Sequence, residues 1–414
     1  MTMTGSCDLS VPSRRALLAA GVSFAAWAAR PRLASAAGTR DPRLVVIVLR
    51  GALDGLAAVG PLGDPDYARL HGDLALAADG IRPALALDGF FGLNPAMPEL
   101  ARMWRAGQAA IVHAVATNYR ERSHFDGQDV LESGQPGPGR TQSGWLNRAL
   151  SRLDTAGRAS PLRGLGVGPT TPLILRGPAP VLGWTPQILA SAGDDLAKRI
   201  LALYDHRDPE LGRALRDGLD TDAMAKRGGL SGDMGKARGG MDQPTGMRQA
   251  ALGTARLLAA AEGPRVAALA FDGWDTHASE GALGGQLANR LGGLDGALAA
   301  FESELGPAWA DTAIAVVTEF GRTVRINGTT GTDHGTGTVA FLVGGAIRGR
   351  RVIADWPGLA DDRLYQNRDL KPTTDLRAVF AGLLVDHLGV SPTAIADEVF
   401  PDGGLLKPMA GLIV

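Results

Sequence analysis

The run Leu44-Val45-Val46-Ile47-Val48-Leu49 is apolar at every position and passes at once into the turn Arg50-Gly51-Ala52-Leu53-Asp54-Gly55. A strand with one wet face alternates apolar and polar residues. An unbroken apolar run belongs to a strand buried on both faces, as in a parallel sheet covered by helices. Comparable runs recur at residues 109–115, 265–271, 312–317 and 339–343, with weaker strand candidates at 162–167 and 172–175. The intervening segments 98–107, 123–132, 186–227, 247–262, 283–305 and 374–388 read as helices. Thr373 or Thr374 is placed to cap the last of these. Ser123 with an acid three residues on, Asp126, resembles a capping box. Strands alternating with helices predict an α/β fold with a mostly parallel central sheet and helices on both faces. The segment 228–246, rich in Gly, Met, Asp and Lys without a period, is expected to be a flexible surface loop.

Composition removes several kinds of chemistry. The 414 residues include 42 basic and 43 acidic side chains, a net charge of -1, which argues against a nucleic-acid partner bound by bulk charge. The one cysteine, Cys7, excludes a disulfide framework, a zinc ribbon and a cysteine nucleophile in the folded body. Any metal must be held by carboxylates and by some of seven histidines.

The N-terminus has the form of an address. Ser13-Arg14-Arg15 precedes an apolar run over 16–29 and then Ala34-Ser35-Ala36. The run is about 14 residues, against the roughly 20 needed to span a bilayer. A paired arginine, a short apolar core and a small-residue cleavage site predict a twin-arginine signal peptide over 1–36. The expected mature protein is then one domain over 37–414, periplasmic or secreted, with no membrane span after signal removal.

The polar residues cluster after strand ends. Asp54, Ser123 with His124, Asp275 with His277, and Glu319 each lie in the turn that follows an apolar strand, and Asp333-His334 sits between Gly331 and Gly335. In open parallel sheets ligands bind at the carboxyl ends of the strands, so these loops can meet in one cleft. Asp54 is either a metal ligand or a turn anchor. Asp275 and His277, two apart, face one side of an extended segment and can chelate one ion. Glu319 is a ligand or the partner of Arg322. Ser123 is a helix cap or, beside a divalent cation, an activated nucleophile. His124 is a ligand, a substrate contact or a loop residue. His71, His113, His206 and His387 read as structural.

The motifs at 49–56, 123–129, 143–148, 273–277, 318–322 and 331–335, in this order, closely resemble the exported bacterial family called domain of unknown function 1501. That family is similar to the alkaline phosphatase and sulfatase superfamily, whose members carry two metal ions at the ends of a parallel sheet. The resemblance implies an alkaline-phosphatase-like domain in which Asp54, Asp275, His277 and His334 serve a divalent metal site; Asp333, beside His334, is a further candidate, and the mixed N and O donors suit Zn or Mn. It implies Ser123 as the nucleophile and Arg322 as a charge-neutralising group. Glu319 falls where an Asp-His pair follows the strand in the superfamily. The implied activity is hydrolysis of phosphate or sulfate esters, small or polymeric. The alternative is a non-catalytic envelope protein that keeps the fold for binding or for assembling a partner protein.

Overall fold

The structure, a computed structural model, describes residues 40–153, 164–186, 194–227, 241–401 and 406–414. The expected signal peptide and most of the expected flexible segment, 228–240, lie outside the described residues. Pro42–Val414 forms one compact unit.

Nine strands make the central sheet: β1 (Arg43–Leu49), β2 (Ala109–Ala116), β3 (Gly164–Val167), β4 (Val181–Trp184), β5 (Val266–Phe271), β6 (Thr312–Val317), β7 (Thr338–Val343), β8 (Arg351–Ile353) and β9 (Thr374–Asp375). The spatial order is β8-β2-β7-β6-β1-β5-β3-β4, with β9 paired to β2. β1 lies at the centre, parallel to both neighbours, with Val45 opposite Ala267 on one side and Ile314 on the other. Among the described strands of this sheet only β7 runs antiparallel, against β6 and β2. The fold is therefore α/β with a mostly parallel sheet.

The apolar run of β1 divides between two cores. Val45, Ile47 and Leu49 pack on one face of the sheet, and Leu44, Val46 and Val48 on the other. Six such buried side chains contribute on the order of 10 kcal/mol. The first face is covered by α1 (Pro98–Arg105), α6 (Pro244–Ala259) and α7 (Gln286–Leu305). The second carries α3 (Trp145–Leu150) and α8 (Leu376–Asp386), where Trp145 stacks on Phe380. Further helices of ten or more residues among those described are α2 (His124–Ser133), α4 (Asp194–Arg207) and α5 (Pro209–Arg227).

Local expectations fail where a short-range signal was ambiguous. Residues 172–175 are not a strand: Leu173–Leu175 forms a 3-10 turn, with Leu175 N donating to Pro172 O. Three apolar residues are too few to carry a period. The helical stretch ending at 227 is two helices, α4 and α5, parted at Asp208. Pro209 disfavours helical backbone in the residue before it, and Asp208 Oδ1 accepts from Glu210 N and Leu211 N, capping the second helix. α8 is capped by Asp375, not by Thr373 or Thr374, because Thr374 and Asp375 are still paired with β2.

The topology gathers loops at one edge. The carboxyl ends of β1, β2, β5 and β6 deliver residues 50–54, 117–123, 272–277 and 318–322. Because β7 is antiparallel, the loop that precedes it, 331–335, reaches the same edge.

Candidate metal centre

Close backbone packing builds the edge. Gly51, with φ at +116°, lies so near the turn after β5 that a Cβ there would come within 2.5 Å of Asp275 N. Trp274 N donates to Arg50 O at 3.1 Å, joining the two turns. The 331–335 loop is zipped to the turn after β6: Arg322 and His334 form an isolated bridge, Thr323 N donates to Asp333 O, and Gly335 N donates to Gly321 O.

His124, Asp275 and His334 converge on this frame, each offering one ligand atom within 4.8 Å of the others. His124 Nε2 lies 2.9 Å from His334 Nε2 and 3.4 Å from Asp275 Oδ2. His334 Nε2 is 3.2 Å from Asp275 Oδ1. His277 extends the cluster, with its Nε2 2.9 Å from His334 Nε2 and 3.0 Å from Asp275 Oδ1.

The far nitrogen of each ring meets an acceptor. His334 Nδ1 is 3.0 Å from Arg122 O, His124 Nδ1 is 2.8 Å from Glu319 Oε1, and His277 Nδ1 is 3.1 Å from Asp333 Oδ1. A carbonyl or carboxylate opposite Nδ1 calls for a proton there, which in the neutral imidazole leaves a lone pair on Nε2. Three such lone pairs and a carboxylate directed at one another repel unless a cation or proton lies among them. Imidazole and carboxylate donors with hydrogen-bonded far nitrogens suit a divalent ion that accepts mixed N and O ligands, Zn²⁺ or Mn²⁺. The residues present therefore fit a metal.

The charges agree. The hydrogen bond to Glu319 raises the His124 imidazolium above its ordinary value, outweighing burial. Burial and the His124 charge lower His334. Burial works to raise the Asp275 carboxyl, but the hydrogen bond and charge of Arg322 hold it below the usual range.

Of the other sequence candidates, Glu319, Asp333 and Arg322 contact the cluster. Glu319 is buried and accepts from Gly51 N, His124 Nδ1 and Gln128 Nε2 on Oε1, and from the Thr318 hydroxyl on Oε2. Those bonds overcome burial and hold its carboxyl low. Asp333 Oδ1 accepts from Asn327 as well as His277. Arg322 is buried. Its Nη1 donates to Asp275 Oδ1 at 2.6 Å, its Nε to the Thr332 hydroxyl, and its Nη2 to Thr332 O. Asp54 is outside the converging group. Its Oδ1 accepts from Leu56 N and Ala57 N, capping the single helical turn Gly55–Ala58, and its Oδ2 lies 3.3 Å from His71 Nε2. Ser123 occupies the N-cap position of α2, yet its side chain makes no cap bond, and Asp126 Oδ2 instead accepts from the Tyr119 hydroxyl at 3.3 Å. The capping-box reading fails there.

His124 is the member of the cluster that sequence reasoning left undecided. Its signal was scarcity: with seven histidines in the chain, one directly after Ser123 in a strand-end loop stands out. Nothing in the sequence pointed to Arg122, whose carbonyl holds His334 from a left-handed backbone of φ +59°, or to buried Asp369, which accepts from Arg122 Nε and Nη2. Of the four histidines read as structural, His71 pairs with Asp54, His113 bonds Val59 O and His387 bonds Arg43 O; the side chain of His206 lies outside the described residues.

Two solved structures resemble this chain. The structure of Ps i-CgsB in complex with k-i-k-neocarrahexaose is 11% identical, with 88% of this chain and 77% of that one covered at a TM-score of 0.40. The phosphonate monoester hydrolase of Agrobacterium radiobacter is 15% identical, with 85% and 74% covered at a TM-score of 0.32. No curated protein matches the sequence. Residues 41–399 match the family described as Protein of unknown function (DUF1501), and the chain belongs to that family.

Proposed function

We propose that this protein is an exported, metal-dependent hydrolase of phosphate or sulfate esters. The observation that carries the reading is the convergence of His124, Asp275 and His334, each ring backed on its far nitrogen by an acceptor. These three residues, with His277 beside them, would hold the ion. A divalent cation held there supplies Lewis acidity, drawing charge from an ester oxygen. Arg322 keeps Asp275 ionised and oriented, so its charge acts through that carboxylate. Glu319 and Asp333 orient His124 and His277. Ser123 supplies the attacking hydroxyl in this reading; its oxygen is not spent on capping α2.

The reading includes export. Among the described residues no helix is long and apolar enough to cross a membrane. Replacing Arg14 and Arg15 by Lys should hold the precursor in the cytoplasm. Normal envelope levels of the double mutant would refute the twin-arginine route.

Elemental analysis and assay of 4-nitrophenyl phosphate and sulfate on protein purified from the envelope test the chemistry. His334→Ala should lose the metal and the activity together. Ser123→Ala should lose turnover and keep the metal. Wild-type protein with neither metal nor hydrolysis would favour the binding or assembly alternative.

A further inference from the structure

A cleft of about 480 Å³ opens beside the histidine cluster, at the carboxyl ends of β1, β3 and β5. The two share a wall. Gln128 lines the cleft and donates to Glu319, which backs His124. Phe125, the residue after His124, lines it and is 89% exposed. A large aromatic ring held in water on the first turn of a helix gains from any flat apolar partner that covers it.

The charge of the cleft is uneven. Among the described lining residues three carboxylates face two guanidiniums. Arg50 is paired with Glu132 at 2.6 Å, and Glu132 also accepts from Ile174 N, so this pair is part of the wall. Asp129 and Asp272 then stand against Arg176 and the remaining pull of Arg50, which leaves one negative charge in excess. Burial raises the Asp272 carboxyl; the charge of Arg50 opposes this and those of Asp242, Glu319 and Glu132 add to it. An anion entering the cleft meets repulsion, while a neutral or cationic group does not.

We propose that this cleft is the subsite for the leaving group of the ester, and that it takes an uncharged or cationic ring-bearing alcohol and rejects an anionic one. The assignment as a leaving-group site rests on the hydrolase reading; the selectivity rests on Phe125 and the carboxylates. The ester's own anionic group belongs at the cation, and the cleft beside it receives the remainder.

The test uses the purified full chain and three fragments that carry no ester and need no metal: benzylamine, benzyl alcohol and benzoate. Saturation-transfer NMR should detect the first two, with benzoate at least tenfold weaker. Phe125→Ala should abolish fragment binding with the metal content and melting temperature unchanged. Asp129→Asn with Asp272→Asn should let benzoate bind. Benzoate binding as tightly as benzylamine, or fragment binding indifferent to Phe125→Ala, would overturn the proposal. Hydrolysis of benzyl phosphate and 4-carboxybenzyl phosphate by the metal-loaded protein separates the two readings. Equal kcat/KM for the pair refutes the cleft assignment and leaves the hydrolase standing. Selective fragment binding with no hydrolysis of either refutes the hydrolase, and with it the leaving-group role, and leaves a selective binding cleft.

Discussion

Glu319→Gln isolates what the buried carboxylate does for the histidine cluster. The amide oxygen can serve the three donors now on Oε1, namely Gly51 N, His124 Nδ1 and Gln128 Nε2. The amide nitrogen can donate to the Thr318 hydroxyl, whose single proton is then free for Leu49 O at 2.7 Å. The shape and the four named hydrogen bonds survive, and the charge is lost. Bonds to a charged acceptor are worth about 1.5–3 kcal/mol against about 1 for neutral ones, but the relief of burying a carboxylate offsets much of this. The melting temperature should therefore change little. The metal should not be spared, because the partner of a ligating histidine typically contributes 10–100-fold in affinity, or about 1.4–2.8 kcal/mol. Zn²⁺ titration against a competing chelator reads the affinity, and thermal unfolding of the metal-free protein reads the fold. Wild-type Zn²⁺ affinity in Glu319→Gln would refute the assignment of His124 as a ligand backed by Glu319. Glu319→Ala is the contrasting case. It leaves buried donors without partners, at about 1–3 kcal/mol each, and should destabilise the fold as well.

His113 is fully buried, and desolvation pushes its imidazole down to about 4. A folded value below the unfolded 6.5 means stability present above pH 6.5 and lost as the pH falls toward 4, up to about 3 kcal/mol; urea unfolding across this range should show the loss in wild type and a reduced loss in His113→Gln. The buried Asp54–His71 pair acts in the opposite direction on its basic side. Burial pushes His71 down, but the charge of Asp54 overrides it and raises the imidazolium, so its contribution is full below about pH 6.5 and falls as the pH rises through the raised value. Asp54→Asn should remove that alkaline slope, and an unchanged slope would refute the pairing. Gly51→Ala forces a Cβ against the backbone of Trp274 and Asp275 and strains a φ of +116°; it should lower metal affinity and stability together, read by the same titration and melt.

The sequence alone determined the strands and the polar loops that follow them. Six apolar residues in a row leave no side for water, so β1 had to be central and doubly covered, and the carboxyl-end loops had to hold whatever chemistry the chain performs. Asp275, His277 and His334 were legible on that ground. What the tertiary structure decided was which loop residues meet. Asp54 looked like a ligand because it follows β1, yet its carboxylate is taken up by two helical N–H groups and by His71, seventeen residues on and invisible to any local pattern. His124 stands in the cluster with its Nδ1 2.8 Å from Oε1 of Glu319, 195 residues away. Local sequence sets backbone preference and solvent exposure, which act over a few residues. A side-chain cluster is a through-space arrangement, and here it depends on one antiparallel strand, β7, which returns the loop carrying His334 to the edge where the parallel strands end.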